Sequence, residues 1–384
     1  MSAHAATHDQ LFEGTGRSLR DSIDLRKAAL VGVLAAAVVA ALVTALPGAY
    51  GAVSEGLGKL GHADVRWLLL ALGLEALSFL GHIVLFRGVF LDKSSRIGYG
   101  ASYDITLAGH AATRLLGAAG AGGIALTVWS LNRSGMSTRT VATRMLGFMV
   151  LLYSFYAIAV AAVGFGLWSG VLSGGGPVAL TLVPGIVALG LVGGAIGAAT
   201  LARRRFGAVA DATERSGWSA RLAKASVAVG DGVREAGAVV RRRDPRLVGG
   251  LMWWAFDIAV LWASFRAFGE APPAAVLVLA YFLGLVGNAL PFLGSVGGVD
   301  GGMIAALVAF GANPAASVVA VIVYRLFSCW APTVPGAIAF ARLRRRVAAW
   351  QREDSGEAPA ADELAIARER RAVAPAFAAK PVAA

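Results

Sequence analysis

The sequence predicts an all-α polytopic membrane protein, with six or more transmembrane helices plus two glycine-rich broken or re-entrant segments in an inverted repeat. Three observations carry this. Hydrophobic residues make up 57% of the 384, another 49 are glycine, and only 15% are charged; in soluble domains apolar residues and glycine together reach ~45–50%. Apolar runs of about 20 residues, the length that spans a hydrocarbon core of ~30 Å, recur along the chain. Arginine and lysine collect in alternate loops. Lipid must therefore be the solvent for most of the chain, which excludes a soluble enzyme. The net charge of +12 fits loops facing anionic headgroups better than a nucleic-acid surface, so no nucleic-acid partner is expected.

Residues 1–27 form a polar tail in which His4 and His8 have helical spacing but lie in solvated sequence. The first span is 28–46; its polar leader is too long for a signal peptide, and more spans follow. Those are 67–86, 145–168, 178–202 and 247–268, then 315–340, which Pro332 and Pro335 interrupt. Arg17, Arg20, Arg26 and Lys27 precede the first span, and Arg87, Lys93 and Arg96 follow the second. Arg133, Arg139 and Arg144 precede the third. Arg203, Arg204 and Arg205 open a loop that ends with Arg241, Arg242, Arg243 and Arg246, and Arg342, Arg344, Arg345 and Arg346 follow the last span. The opposite loops, 47–66, 169–177 and 269–274, hold only Lys59 and Arg66. The positive-inside rule then puts both termini in the cytoplasm, in a multi-pass protein of the cell membrane.

Two apolar segments, 102–131 and 275–311, are interrupted by glycines. Basic flanks on both sides of the first require an even number of crossings from the cytoplasm; the second must do the same from outside. Each is a re-entrant pair of half-helices or two short crossings. Leu115-Leu116-Gly117-Ala118-Ala119-Gly120-Ala121-Gly122-Gly123 resembles Phe292-Leu293-Gly294-Ser295-Val296-Gly297-Gly298-Val299-Asp300-Gly301-Gly302. Broken segments at matching positions in two halves, entered from opposite sides, point to an inverted repeat with a site at the bilayer midplane. Ordinary glycine-rich helix packing is the competing reading. Gly190-x-x-x-Gly194 and Gly193-x-x-x-Gly197 are expected to pack inside the bundle.

Between spans, 203–246 is a polar, basic cytoplasmic loop. Trp218, Leu222, Ala225, Val229, Val233, Ala236 and Val240 form a stripe at helical spacing, which predicts an amphipathic helix on the membrane surface or under the bundle. Residues 347–384, rich in Ala, Pro, Arg and Glu, are expected to be a mostly disordered cytoplasmic tail. The transmembrane domain thus runs over 28–346.

Ionisable groups inside a bilayer are costly, about 2.5–3.5 kcal/mol each near the centre, and default to function. Glu75, Arg114, Asp257, Arg266, Asp300 and Arg325 qualify, with His82 and His110 as titratable neighbours. Arg266 is near a span end and can snorkel. Arg114 and Asp300 sit in the glycine-rich breaks, and Arg325 follows Tyr324 within the last span. A guanidinium fork fits phosphate, half-helix N-termini add free N–H groups, and glycine allows close approach of a headgroup. Arg114, Asp300, Arg325 and Asp257, with Gly122, Gly123, Gly297 and Gly298, are therefore the candidate substrate-binding residues; a buried structural Arg–Asp pair is the alternative. No catalytic residue, cofactor or metal is expected. Gly120 to Ala125 mimics a dinucleotide fingerprint but follows no strand, no glycine run carries a P-loop lysine, and Cys329 is the only cysteine.

The run Gly109 to Gly135, Asn288-Ala289-Leu290-Pro291 through Asp300, Gly311, Tyr324-Arg325 and Pro335-Gly336 resembles the flippase-like family. This is the lysylphosphatidylglycerol synthase transmembrane domain, here as a free-standing member, over roughly residues 25–346. Asp300 falls where that family usually has an acidic residue, and Arg325 matches its arginine. Leu293 and Gly117 stand where prolines are common, a departure that bears on the shape of both breaks. The resemblance implies a helical bundle that moves an anionic or phosphate-containing lipid, aminoacylated or sugar-linked, between leaflets, with a separate synthase as partner. The soluble synthase domain has no counterpart in 351–384. A membrane-embedded lipid-modifying enzyme and a non-catalytic partner subunit are the competing functions.

Overall fold

The computed structural model describes residues 49–92, 95–115, 121–206, 218–286 and 298–355, and among these there is no strand. The expected first span, 28–46, lies outside them. The helices are α1 (Ala49–Gly58), α2 (Val65–Phe90), α3 (Tyr99–Leu115), α4 (Ala121–Arg133), α5 (Thr138–Trp168), α6 (Leu182–Phe206), α7 (Trp218–Arg241), α8 (Val248–Arg266), α9 (Ala274–Leu285), α10 (Gly298–Ala309), α11 (Pro314–Arg325) and α12 (Thr333–Ser355). Among the described residues, four helical runs are long and apolar enough to cross a membrane: Val65–Phe90, Thr138–Trp168, Pro245–Arg266 and Pro314–Ser355. The fold is that of an all-α membrane protein.

The start of each spanning run is capped. Asp64 accepts from the Arg66 amide at 2.9 Å, Ser137 from Thr140 at 3.2 Å, Asp244 from Arg246 at 2.9 Å and Asn313 from Ala316 at 3.0 Å. Each cap satisfies an amide that the first helical turn leaves open.

The two glycine-broken segments fold as helical hairpins. In the first, α3 and α4 touch backbone to backbone: a Cβ on Gly123 would lie 2.6 Å from the Gly109 carbonyl oxygen. In the second, a Cβ on Gly284 of α9 would lie 2.8 Å from the Met303 Cβ of α10, and one on Gly302 would lie 3.4 Å from the Gly284 Cα. At 1.5 Å per residue, helices of 12 residues such as α9 and α10 reach ~18 Å, too short to cross a ~30 Å core. The arms of the second hairpin are half-helices.

The hairpins enter from opposite ends. The base of the first belongs to a basic end, where Arg87 donates to Ser102 at 2.8 Å, Arg246 to the Arg87 carbonyl at 3.1 Å and Arg144 to the Phe90 carbonyl. Arg342 and Arg346 both hold the buried Asp104 of α3 at 2.9 Å. The base of the second lies at the other end, where the Asp64 amide donates to the Ala267 carbonyl at 2.9 Å, Trp67 meets Trp262 edge-on, and Gly176 rests on Phe310. The loops whose charge separated them in the sequence are thus sorted to two ends.

Two halves, α2–α5 and α8–α12, repeat the same order of long helix, hairpin, long helix. Each hairpin packs on the long helix of the other half. Gly336 of α12 lets α3 approach until an added Cβ would be 2.7 Å from the Leu107 carbonyl. Tyr156 of α5 donates to the Phe282 carbonyl of α9 at 2.9 Å. The apolar side chains divide accordingly into two cores. One surrounds the first hairpin with Leu85, Phe90, Ile105, Leu131, Val141 and Leu343; the other surrounds the second with Val260, Leu261, Leu279, Phe282, Met303 and Val321.

α2 and α8 run antiparallel at the centre, in contact through Gly81 and Gly249. A Cβ on Gly81 would lie 2.8 Å from the Gly249 carbonyl, and one on Gly249 2.6 Å from the Leu85 amide nitrogen. Small residues let backbones meet in this way where lipid supplies no hydrophobic drive.

Three sequence expectations are corrected. Nothing among the described residues lies within 4 Å of a Cβ built on Gly190, Gly193 or Gly194, so the Cβ side of these three glycines of α6 meets no described part of the bundle. α7 packs on α5 through Gly232 against Leu146 and Glu235 against Gly147, as the reading under the bundle expected, but its buried face is Gly232, Ala236 and Val239; of the expected stripe Ala236 is buried, Val229 and Val240 are exposed, and the side chains of Trp218, Leu222 and Ala225 lie outside the described ones. α12 continues through Ser355, burying Val347 and Trp350, with Arg96 held on Asp354 at 2.9 Å. A tail can therefore begin only after 355; residues 356–384 lie outside the described ones.

Gly249→Ala is expected to lower stability by about 1–3 kcal/mol through forced separation of α2 and α8, whereas Gly193→Ala stays within ~0.5 kcal/mol; thermal unfolding in one detergent checks both. Asp244 is held below its ordinary value of 3.8, chiefly by hydrogen bonds from the Arg246 side chain. A depressed carboxyl stabilises above its unfolded pKa and loses that contribution as pH falls through the folded one. Asp244→Asn should therefore lower stability near neutrality and leave it unchanged well below pH 3.8, compared by unfolding midpoints across pH.

Candidate functional site

The antiparallel α2–α8 contact fixes which side chains face each other. With Gly81 against Gly249, the register brings Glu75 of α2 beside Asp257 of α8. Both are buried, and one turn away Ser78 donates to the Trp253 carbonyl at 3.1 Å.

Asp257 Oδ2 accepts two tyrosyl hydroxyls. Tyr281 reaches it from α9, and Tyr324 reaches it from α11 at 3.0 Å. The next residue, Arg325, turns to the other side and pairs through Nε with Asp300 Oδ1 at 2.6 Å. Asp300 sits in the first turn of α10, at a half-helix N-terminus that favours anions. The Tyr324-Arg325 pair therefore ties α11 both to α8 and to the second hairpin. Arg325 is 9% and Asp300 22% exposed at the side chain, so the pair is largely desolvated yet open on the Asp300 side.

Immediately after Arg325 the helix widens into a π turn, Leu326–Trp330, in which the Ala331 amide donates to the Leu326 carbonyl at 2.8 Å. Such turns recur at functional sites. The break expected at Pro332 and Pro335 therefore lies one turn earlier, beside the arginine.

From the first hairpin comes Arg114, in the last turn of α3. Its charge acts on Glu75, Asp257 and His110, which places it in the same layer. Its Nε has no hydrogen-bond partner among the described residues. His110 lies one turn away, edge-on to Phe79 at 4.9 Å, and His82 is stacked 3.9 Å from Trp253. His82 Nδ1, His110 Nε2 and Glu75 Oε2 also lack partners among the described residues. Among these residues no three His, Cys, Asp or Glu side chains form a group that could hold a metal ion.

The layer thus holds Arg114, Asp257, Asp300 and Arg325 together, between the two apolar cores and at the inward ends of both hairpins. Gly122 and Gly123 are buried in the first turn of α4, where Gly123 faces Gly109; that face of Gly123 serves hairpin closure and not headgroup approach. Gly298 opens α10. Gly297 and the preceding glycine run lie outside the described residues, as does Gly117. Glu75 has a larger place than the sequence suggested, because its neighbour Asp257 is 182 positions away. Tyr281 carried no local signal, being one aromatic in an apolar run.

Residues 30–336 match the family model of the lysylphosphatidylglycerol synthase TM region. The chain belongs to that family. The matched region contains both hairpins and every charged residue of the layer. A UPF0104 membrane protein of Methanothermobacter thermautotrophicus is 36% identical over 87 residues, 22% of this chain and 25% of that protein. The chain therefore covers about a quarter of that relative's length.

Tyr281→Phe and Tyr324→Phe should each cost about 0.5–1.5 kcal/mol, the worth of one buried hydrogen bond. Asp257→Ala should cost more than either, because it strands two buried hydroxyls at once. Chemical unfolding of the three variants under one condition ranks them.

Proposed function

We propose that the protein is a lipid translocase that passes a phosphate-bearing headgroup through the layer formed by Arg114, Asp300 and Arg325. The observation that carries this is that Arg114, at the end of α3, and Arg325, paired with Asp300 at the N-terminus of α10, lie in one layer between hairpins whose bases are at opposite ends. A phosphodiester is the group such donors fit: arginine offers paired N–H bonds, and helix N-termini offer amides and a positive dipole end. Acyl chains would remain in lipid while the headgroup moves. Asp300 holds the Arg325 fork in place when no headgroup is bound and yields part of it when one arrives.

The inverted repeat supplies the motion. Each hairpin rests on the long helix of the opposite half, so rocking one half against the other opens one end and closes the other around a fixed site. At the basic end, Asp104 with Arg342 and Arg346 is the contact that must loosen. That end faces the cytoplasm in our reading, which leaves both termini there and the protein in the cell membrane. The family's description points to aminoacylated phosphatidylglycerol or a related anionic lipid as cargo. The chain performs no bond chemistry in this reading, and a separate synthase would supply the lipid.

In liposomes carrying a fluorescent phosphatidylglycerol, wild-type protein should expose inner-leaflet probe to an external quencher. Arg114→Ala and Arg325→Ala should each slow that exposure at least about tenfold, the loss of one charge-assisted contact of roughly 1.5–3 kcal/mol, with unfolding midpoints showing intact folds. Unchanged flux in both variants refutes the assigned roles. Conversion of a labelled lipid to a new product by purified protein would favour an enzyme instead.

A further inference from the structure

Glu75 and Asp257 take no part in the phosphate contacts described above, yet they form the most enclosed acidic pair among the described residues. Two carboxyls side by side and shielded from water cannot both carry charge, because like charges at that separation in a poor solvent repel strongly. The hydrogen bonds say which one is ionised. Asp257 Oδ2 accepts from both Tyr281 and Tyr324, an arrangement that favours the carboxylate, so the proton resides on Glu75 and is shared with Asp257.

The groups facing this pair come from every element around it. Arg114 from α3, Tyr281 from α9, and Tyr324 and Arg325 from α11 act on it directly; His110 lies one turn from Arg114, and Asp300 of α10 pairs with Arg325. With one proton on the pair, Arg114 and Arg325 balance Asp300 and Asp257. A second proton leaves the layer with one positive charge. A phosphodiester monoanion cancels it.

We infer that Glu75 and Asp257 form a proton-binding site linked to headgroup binding, so that one proton enters the pair for each phosphodiester that enters the layer. This rests on the translocase reading and adds its energy source. A proton and a headgroup whose only charge is its phosphodiester would cross together without net charge, so a pH gradient would drive transport of such a lipid and the membrane potential would do no work on it. Linkage is reciprocal: affinity for the anion should fall about tenfold per pH unit once the second proton is off the pair.

The test uses full-length protein in detergent, titrated calorimetrically with dioctanoyl phosphatidylglycerol in two buffers of different ionisation enthalpy. The expected result is uptake of close to one proton per lipid bound; the double variant Glu75→Gln with Asp257→Asn should take up none and bind with an affinity indifferent to pH. Inorganic phosphate in place of the lipid distinguishes a headgroup site, which binds the lipid far more tightly, from a site for the free ion. Lipid binding without proton uptake by the wild type overturns the linkage and leaves translocation standing. Absence of lipid binding overturns both. A second measurement stands even if the double variant fails to fold: wild type at neutral pH should show the infrared carbonyl band of a protonated carboxylic acid, lost in Glu75→Gln, and its absence from the wild type overturns the shared proton.

Discussion

A charge held halfway through a bilayer must find a counter-charge or water, and the architecture follows from that requirement. Two arginines and three carboxylic acids converge in one layer, and no single helix could have brought them together. Arg114 arrives on one hairpin, Asp300 on the other, and Glu75 and Asp257 on the antiparallel pair between them. The Tyr324-Arg325 step binds these pieces, because adjacent side chains on α11 point to different partners. Loss of one member would leave another uncompensated in a medium that penalises it heavily.

Glycine makes this convergence possible. At Gly109–Gly123, Gly284–Met303 and Gly81–Gly249 the chains come so close that a methyl group would meet backbone or Cβ atoms. These contacts shorten the distance between helices carrying polar groups. Apolar residues then fill the space above and below as two separate cores. The polar layer is the seam between them.

Much of this was legible in the sequence, for physical reasons. Arginine sidedness separated the two ends, and glycine interruptions marked both broken segments, as pairs of half-helices or as two short crossings. Arg114, Asp300 and Arg325 stood out as charges in the wrong solvent, and the structure brings the last two into direct contact. Glu75 stood out too, but its relation to Asp257 did not emerge, although a depth argument could have found it. Each lies about a dozen residues, or ~18 Å, from a basic residue at the same end, Arg87 and Arg246 respectively. Two acids at equal depth on antiparallel spans are candidates for contact. The face of α7 was misplaced because alanine, glycine and valine give a weak periodic signal. The glycines of α6 were misjudged because a close-packing motif does not say against what it packs.

The crosswise seating of the hairpins also imposes an order on biosynthesis. Residues 99–133 leave the ribosome long before 333–355, the helix on which α3 rests through Gly336 and to which Asp104 is tethered. Until α12 is made, the earlier half holds Arg114 and Asp104 without their partners from the later half. The protein is thus completed from its last helix backwards, and a chain interrupted before that point presents unpaired charge to the insertion machinery, a ready mark for quality control.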